Sequence, residues 1–317
     1  MARPEAVTIG PLKREELPEA NRIFRVAFGT FLGLPDPAAF AGDREMVTAR
    51  WHAKHITMLA ARSNGRLVGS NLLTRWGSFG FFGPLTVLPE FWNRGVAKAL
   101  MQATIDRFDR DGIGRTALFT FAHSTKHVGL YRSFGYWPGY LTALMKYEPQ
   151  QPDGTAVAPV LLSQLAKLAR EQAIDQCRRL TNRLDRGLDL TGEIRLLLAQ
   201  KLGDVPLTFT RGTLDSFAVC HHGAGSEAGT KLCYVKFAAA RSGPGAAERF
   251  DRMLDALDGF ALARGVPIEA GINMAREDAF RRMLAHGYKP MTQGVAMQRP
   301  HLPGFNRPDA FVLDDWR

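Results

Sequence analysis

The feature that most narrows what this chain can fold into is a set of landmarks that returns about 150 residues on. Arg62 returns as Arg211, Gly95-x-Ala97 as Gly245-x-Ala247, and Gly135-Tyr136 as Gly287-Tyr288, at offsets of 149, 150 and 152 residues. A near-constant offset that spans turns, helix starts and helix ends points to a duplicated unit; chance matches between two α+β stretches are the alternative. At roughly 100–200 residues per domain, 317 residues accommodate two such units. Residues 148–159 hold three prolines and a glycine with no hydrophobic period, the composition of a linker. The expected organisation is a domain over 1–148, a second over 160–299 and a C-terminal tail over 300–317.

Within the first unit, strands and helices alternate, so the fold class is α/β (α+β). Val7–Leu12 has the pattern of a strand and Arg14–Phe28 that of an amphipathic helix. Thr57–Arg62 and Leu67–Leu73 flank Asn64-Gly65, a strong hairpin pair. Phe79–Leu88 is a continuous apolar strand. In Gly95–Asp111, Val96, Ala99, Leu100 and Ala103 share one helical face. A strand at Ala117–Ala122, a helix at Lys126–Phe134 and a closing strand at Leu141–Tyr147 complete the unit. The second begins with a helical stretch, Pro159–Leu184, and repeats the order: a hairpin through Leu207–Arg211 and Ser216–His221, a strand at Tyr234–Ala240, a helix at Ala246–Arg264, a strand at Ile268–Ile272 and a helix at Glu277–Ala285.

Charge and cysteine content limit the setting. Lys and Arg number 41 against 31 Asp and Glu, a net +10. That balance favours an anionic partner without choosing which. No run approaches the roughly 18 apolar residues of a membrane span, and the N-terminus carries no apolar secretion core. Cys177, Cys220 and Cys233 form no disulfide framework. A cytoplasmic protein with no membrane association is expected.

The segment with chemical content is Gly83–Leu100, where a strand ends at Leu88, a loop runs from Pro89 to Arg94 and a helix starts at Gly95. The first N–H groups of a helix have no internal partner and sit at the positive end of its dipole, so a strand–glycine–helix junction receives phosphate oxygens. Asn93 contributes its amide, and Arg94 and Lys98 add charge. An ordinary strand–loop–helix junction is the alternative.

Trp92-Asn93-Arg94-Gly95-Val96-Ala97 resembles the acetyl-coenzyme A loop of the GNAT superfamily of N-acetyltransferases, Arg/Gln-x-x-Gly-x-Gly/Ala, with Trp92 in place of Arg or Gln. Ser124 to Tyr136 resembles that family's Asn-x-x-Ala-x-x-Leu-Tyr-x-x-x-Gly-Phe. Leu130, Tyr131, Gly135 and Tyr136 match it, while Ser124 replaces Asn and His127 replaces Ala. The resemblance implies two tandem GNAT-like domains, each a mixed, mostly antiparallel sheet flanked by helices. It implies acetyl-CoA as co-substrate, its pantetheine arm along Leu85, Thr86 and Val87, and its pyrophosphate on Asn93, Arg94, Gly95, Val96, Ala97 and Lys98. An acceptor amine, on a small molecule or a peptide, would attack the thioester directly, and Tyr131 would protonate the departing thiolate. A tyrosine merely packed in the core is the other reading of Tyr131.

Relatives often place a carboxylate base on the strand before the loop, but Phe79–Leu88 contains no Asp or Glu. His123 is the candidate base, with a water chain as the alternative, and Ser124 is grouped with it and Tyr131 as a catalytic candidate. In the second copy Pro244 removes an N–H and Met283 replaces the Tyr131 counterpart, so residues 160–299 are expected to be a degenerate structural copy. Cys220, His221, His222 and Cys233 lack metal-site spacing, because adjacent strand residues point to opposite faces, and no metal is expected. The expected function is N-acyl transfer. The rivals are a catalytically silent acyl-CoA-binding protein and a tandem aminoacyl transferase that uses charged transfer RNA, although nucleic acid is not the expected partner. Oligomeric state is not legible.

Overall fold

A computed structural model describes residues 7–150 and 159–317. Most of the expected linker, residues 151–158, lies outside the described residues. The first half runs β1 (Val7–Pro11), α1 (Leu17–Phe31), β2 (Ile56–Ser63), β3 (Arg66–Trp76), β4 (Phe79–Phe82), β5 (Thr86–Val87), α2 (Val96–Arg110), β6 (Arg115–Thr120), α3 (Thr125–Arg132) and β7 (Trp137–Tyr147). The second runs β8 (Val160–Leu161), α4 (Lys167–Leu184), α5 (Thr191–Ala199), β9 (Gly203–Asp204), β10 (Pro206–Thr210), β11 (Thr213–Gly223), β12 (Gly229–Ala240), α6 (Ala246–Leu262), β13 (Ile268–Asn273), α7 (Glu277–His286), β14 (Lys289–Arg299) and β15 (Val312–Leu313). The architecture is two tandem α/β units with mostly antiparallel strands, and the duplication is visible in backbone conformation. Gly95 and Gly245 cap α2 and α6 from the left-handed region, at φ 83° and 74°. Gly135 and Gly287 follow α3 and α7 with φ 82° and 107°. Glycine tolerates these angles where other residues are strained. One expected landmark is displaced. The two hairpin tips are Asn64-Gly65 and Arg211-Gly212, all at positive φ, whereas Arg62 lies two residues earlier in β2, bonded to Glu16 at 2.6 Å.

The halves share one sheet, in the order β1-β2-β3-β4-β6-β14-β7-β13-β12-β11-β10-β8. Each half lends its last long strand to the other. β7 pairs with β13 (Leu144 opposite Gly271), and β14 pairs with β6 (Val295 opposite Thr120). β7 and β14 also pair with each other, with Gly294 opposite Thr142. The strand at 141–147 therefore closes the second half's sheet and not its own. Residues 142–145 are buried consecutively, which marks β7 as an interior strand but does not name its neighbours.

Two further expectations are corrected. Phe79–Leu88 is broken: β4 pairs in parallel with β6 (Phe81 opposite Ala117), and the chain then turns at Gly83-Pro84 so that β5 pairs with β3 (Gly69 opposite Val87). Gly83 has φ 144° and Pro84 has no N–H to continue a ladder. The segment 300–317 is packed inside. Val312 and Leu313 are fully buried, and β15 pairs with β12, Ala238 opposite Leu313 and Ala239 opposite Val312. Among the described residues no helix is long and apolar enough to cross a membrane.

Candidate active site

The break after Phe82 creates the site. β4 and β6 run side by side as far as Phe81 and Ala117; β5 then bends away to β3, and a slot opens between β5 and the end of β6. It is part of a cleft of about 1380 Å³. At one end of the cleft lies the N-terminus of α2. Asn93 and Gly95 both have positive φ, 63° and 83°, which directs the loop into the helix. A Cβ built on Gly95 would meet no heavy atom of the described residues within 4 Å, so the approach to the first-turn amides is open. Those amides have no intrahelical acceptors. Leu85, Thr86, Val87, Asn93, Gly95, Val96, Ala97 and Lys98 all line the cleft. Arg94 does not line it; its guanidinium lies 5.3 Å from the Phe91 ring. Trp92, the departure in the motif, folds back so that its indole N–H donates to the Val87 carbonyl at 2.7 Å, which ties the loop to β5.

Residues 22–136 match the model of the acetyltransferase (GNAT) family. The first half of this chain is a GNAT-family domain. No curated protein matches the chain in sequence. Solved structures share the fold of the whole chain. A candidate acetyltransferase of Pyrococcus horikoshii is 14% identical with TM-score 0.69, over 98% of this chain and 95% of that one. A GCN5-related N-acetyltransferase of Sphaerobacter thermophilus is 13% identical with TM-score 0.60, over 92% and 95%. A tandem GNAT protein from the clavulanic acid biosynthesis pathway is 14% identical with TM-score 0.57, over 92% and 98%.

On the GNAT domain's α3, the three catalytic candidates are placed differently. Tyr131 lines the cleft and is buried against the Phe82 ring at 5.8 Å. Burial pushes its phenol well up, so it stays protonated at neutral pH. Ser124 caps the helix, its hydroxyl accepting the His127 N–H at 3.3 Å, and does not line the cleft. His123 is exposed, stacked on Phe31 at 6.0 Å, and does not line it either. His127, which carried no role in the sequence, lines the cleft and lies 4.8 Å from Phe31. The helical spacing was the available signal: residues 127 and 131 are one turn apart on one face, and residue 123 precedes the cap.

The rest of the cleft wall was not legible as a site. α1 and the chain after it contribute Phe24, Phe28, Phe31 and Phe40, with Phe28 and Phe40 stacked at 5.4 Å. The second half contributes Glu227 and Glu269. Arg50 clasps Glu227 with two bonds of 2.7 Å, and the Lys236 ammonium adds a third at 2.8 Å. Arg50 and Lys236 also donate to the Arg317 main-chain oxygen at 2.8 and 2.7 Å. Glu269 accepts from Arg44 at 3.0 Å and from Arg317 at 2.8 Å. Burial opposes charge on both carboxylates. Arg50 and Lys236 outweigh it and hold Glu227 far below the usual carboxylate range; Arg317 and Arg44 hold Glu269 at about 2. Neither is a base near neutrality. Glu193, His221 and Glu227 bring possible ligand atoms within 4.8 Å of one another, but Arg50 and Lys236 already neutralise Glu227, and a dication there would meet two buried cations. Cys220 and Cys233 are buried against each other on neighbouring strands, and His222 bonds the Leu232 carbonyl at 3.0 Å.

The second half's counterpart of the slot, between β12 and β13, is filled. β15 pairs with β12, and the Ala240 N–H bonds the Phe311 carbonyl at 3.0 Å. Arg276, at the position corresponding to Ser124, is fully buried and anchors the segment through the Val312 carbonyl (2.9 Å) and the Asp314 carboxylate (2.8 Å). A Cβ on Gly271 would overlap the side chain of Asp315. At the start of α6, the Arg249 guanidinium bonds the carbonyls of Arg241, Ser242 and Gly243 and comes within 3.2 Å of a Cβ built on Gly245.

Proposed function

We propose that the first half transfers an acetyl group from acetyl-CoA to a primary amine and that the second half binds no coenzyme. The observation that carries this reading is the contrast between the copies: an open slot and open helix N-terminus in one, and in the other a slot filled by the chain's own strand. The first-half residues fit the coenzyme. The amides of Gly95–Lys98 suit a diphosphate, and the edge of β5 away from β3, which no other strand among the described residues covers and where the Val87 carbonyl already accepts the Trp92 indole N–H, suits the amides of a pantetheine arm. Bound there, the coenzyme would supply an activated thioester. Tyr131, protonated and facing the cleft, would donate a proton to the thiolate sulfur as it departs. The aromatic wall from Phe24 to Phe40 would seat an apolar body on the acceptor, and the second half would supply the facing wall.

Titration with acetyl-CoA should show a single equivalent bound per chain and a melting temperature raised by several degrees at about 100-fold excess over Kd, where ligand linkage contributes about 2.7 kcal/mol. No binding, or two equivalents, overturns the assignment. Tyr131→Phe should lower kcat about 100-fold and leave the Kd for acetyl-CoA within a factor of two. An unchanged kcat in steady-state assays removes Tyr131 from proton transfer.

A further inference from the structure

We propose that His127 is the general base that takes the proton from the attacking amine. The inference rests on the acyltransferase reading above and adds to it the missing proton acceptor. Among the described residues lining the cleft, the titratable side chains besides His127 are Glu227, Glu269, Tyr131, Tyr234 and the cationic Arg and Lys residues. Both carboxylates are clasped by paired cations, and both phenols are pushed up by burial. His127 is one turn before Tyr131 on α3, so a proton acceptor and a proton donor share one face of one helix. The ring of His127 meets Phe31 of α1, the wall expected to seat the acceptor. Burial lowers its pKa from the ordinary 6.5, and the neighbouring Lys126 and His123 lower it further. Phe31 of α1 meets its ring, and among the described residues no carboxylate is among the groups that act on it. The ring is therefore neutral and able to accept a proton at pH 7. In the second half the positions corresponding to His127 and Tyr131 are Ala279 and Met283, so that copy lacks both groups.

An alkylammonium acceptor gives one proton to His127. Its nitrogen lone pair forms the C–N bond at the thioester carbonyl, and the C–S bond breaks. The sulfur takes the Tyr131 phenol proton, and Tyr131 is restored by the second proton leaving the nitrogen. His127 then releases its proton to water, so the products are amide, free thiol and one proton.

The test compares wild type with His127→Gln, using acetyl-CoA and two probes, phenethylamine and hydroxylamine. Phenethylamine is protonated at pH 7 and needs a base; hydroxylamine is largely neutral there and does not. Expected for His127→Gln are an unchanged thermal shift with acetyl-CoA and kcat/KM for phenethylamine reduced about 100-fold at pH 7. That deficit should close as pH approaches the amine's own pKa, and hydroxylamine turnover should stay within a factor of three. In the wild type, kcat/KM for phenethylamine should fall on the acid side with an apparent pKa below 6.5. A variant that keeps both its rate at pH 7 and the acid limb overturns the base assignment alone. Wild-type protein that binds acetyl-CoA but acetylates neither probe overturns it together with transfer itself.

Discussion

Gly95→Glu should abolish acetyl-CoA binding while leaving the fold intact. The residue sits at φ 83° as the cap of α2, and the space beyond its Cα is open. A side chain there meets no steric obstacle, and its cost in the unliganded protein is the left-handed conformation, roughly 1 kcal/mol. A carboxylate at a helix N-terminus recovers part of that through the dipole, about 0.3–1 kcal/mol. The unliganded melting temperature should therefore fall by no more than a few degrees. With coenzyme present the balance reverses. The new carboxylate would occupy the volume in which the first-turn amides meet the diphosphate and would place like charges within a few ångströms. The Kd should rise by at least about 100-fold, and calorimetry should register no heat at concentrations that saturate the wild type. Gly95→Ala separates the two effects, since it carries the same backbone penalty without charge; it should bind several-fold more weakly and still show a thermal shift. A Gly95→Glu protein that retains the wild-type shift would place the coenzyme elsewhere.

What could be read from the sequence is what depends on local geometry. Gly95, Gly245, Gly135 and Gly287 stand where the backbone is left-handed, so they mark both copies whatever their surroundings. The Asn64-Gly65 hairpin was legible for the same reason. Features that depend on distant partners were not. The exchange of β7 and β14 leaves no trace in their sequences, because each is buried on both faces over its middle, at 142–145 and 294–298, and either sheet can cover such a run. β15 is two residues long, too short for any periodicity, although it decides which copy has an open slot. The turn at Gly83-Pro84 was readable in principle, since a proline within a strand signals a break. Phe82 and Leu85 on either side disguise it as one apolar run. Glu227 and Arg50 stand 177 positions apart, so their pairing is a product of the tertiary fold.

That pair carries the largest expected effect on stability. Arg50 belongs to the first half and Glu227 to the second, both are 1% exposed, and their double hydrogen bond joins the halves beneath the cleft. Glu227→Gln would leave Arg50 and Lys236 buried without their shared counter-charge. Breaking a buried pair from one side costs about 3–5 kcal/mol, because the remaining charge has no water to return to. For a chain of 317 residues, at about 2.1 cal/mol/K of unfolding entropy per residue, the melting temperature should drop by roughly 4–8 °C. Arg50→Met with Glu227→Leu and Lys236→Met removes every charge of the group and should restore much of the loss, since an apolar replacement avoids desolvation altogether. The pH dependence has a definite sign. Glu227 is held below its ordinary 4.5 in the folded protein against the pull of burial, as are Glu269 and Glu193, both at about 2. Each favours folding in full above about pH 4.5, and the contribution fades as pH falls towards 2. Urea melts of Glu227→Gln should therefore show a shallower loss of stability over that interval than the wild type. If the variant melts within 2 °C of the wild type and follows the same acid curve, the pair does not hold the halves together, and the cleft wall from the second half must be fixed by the exchanged strands alone.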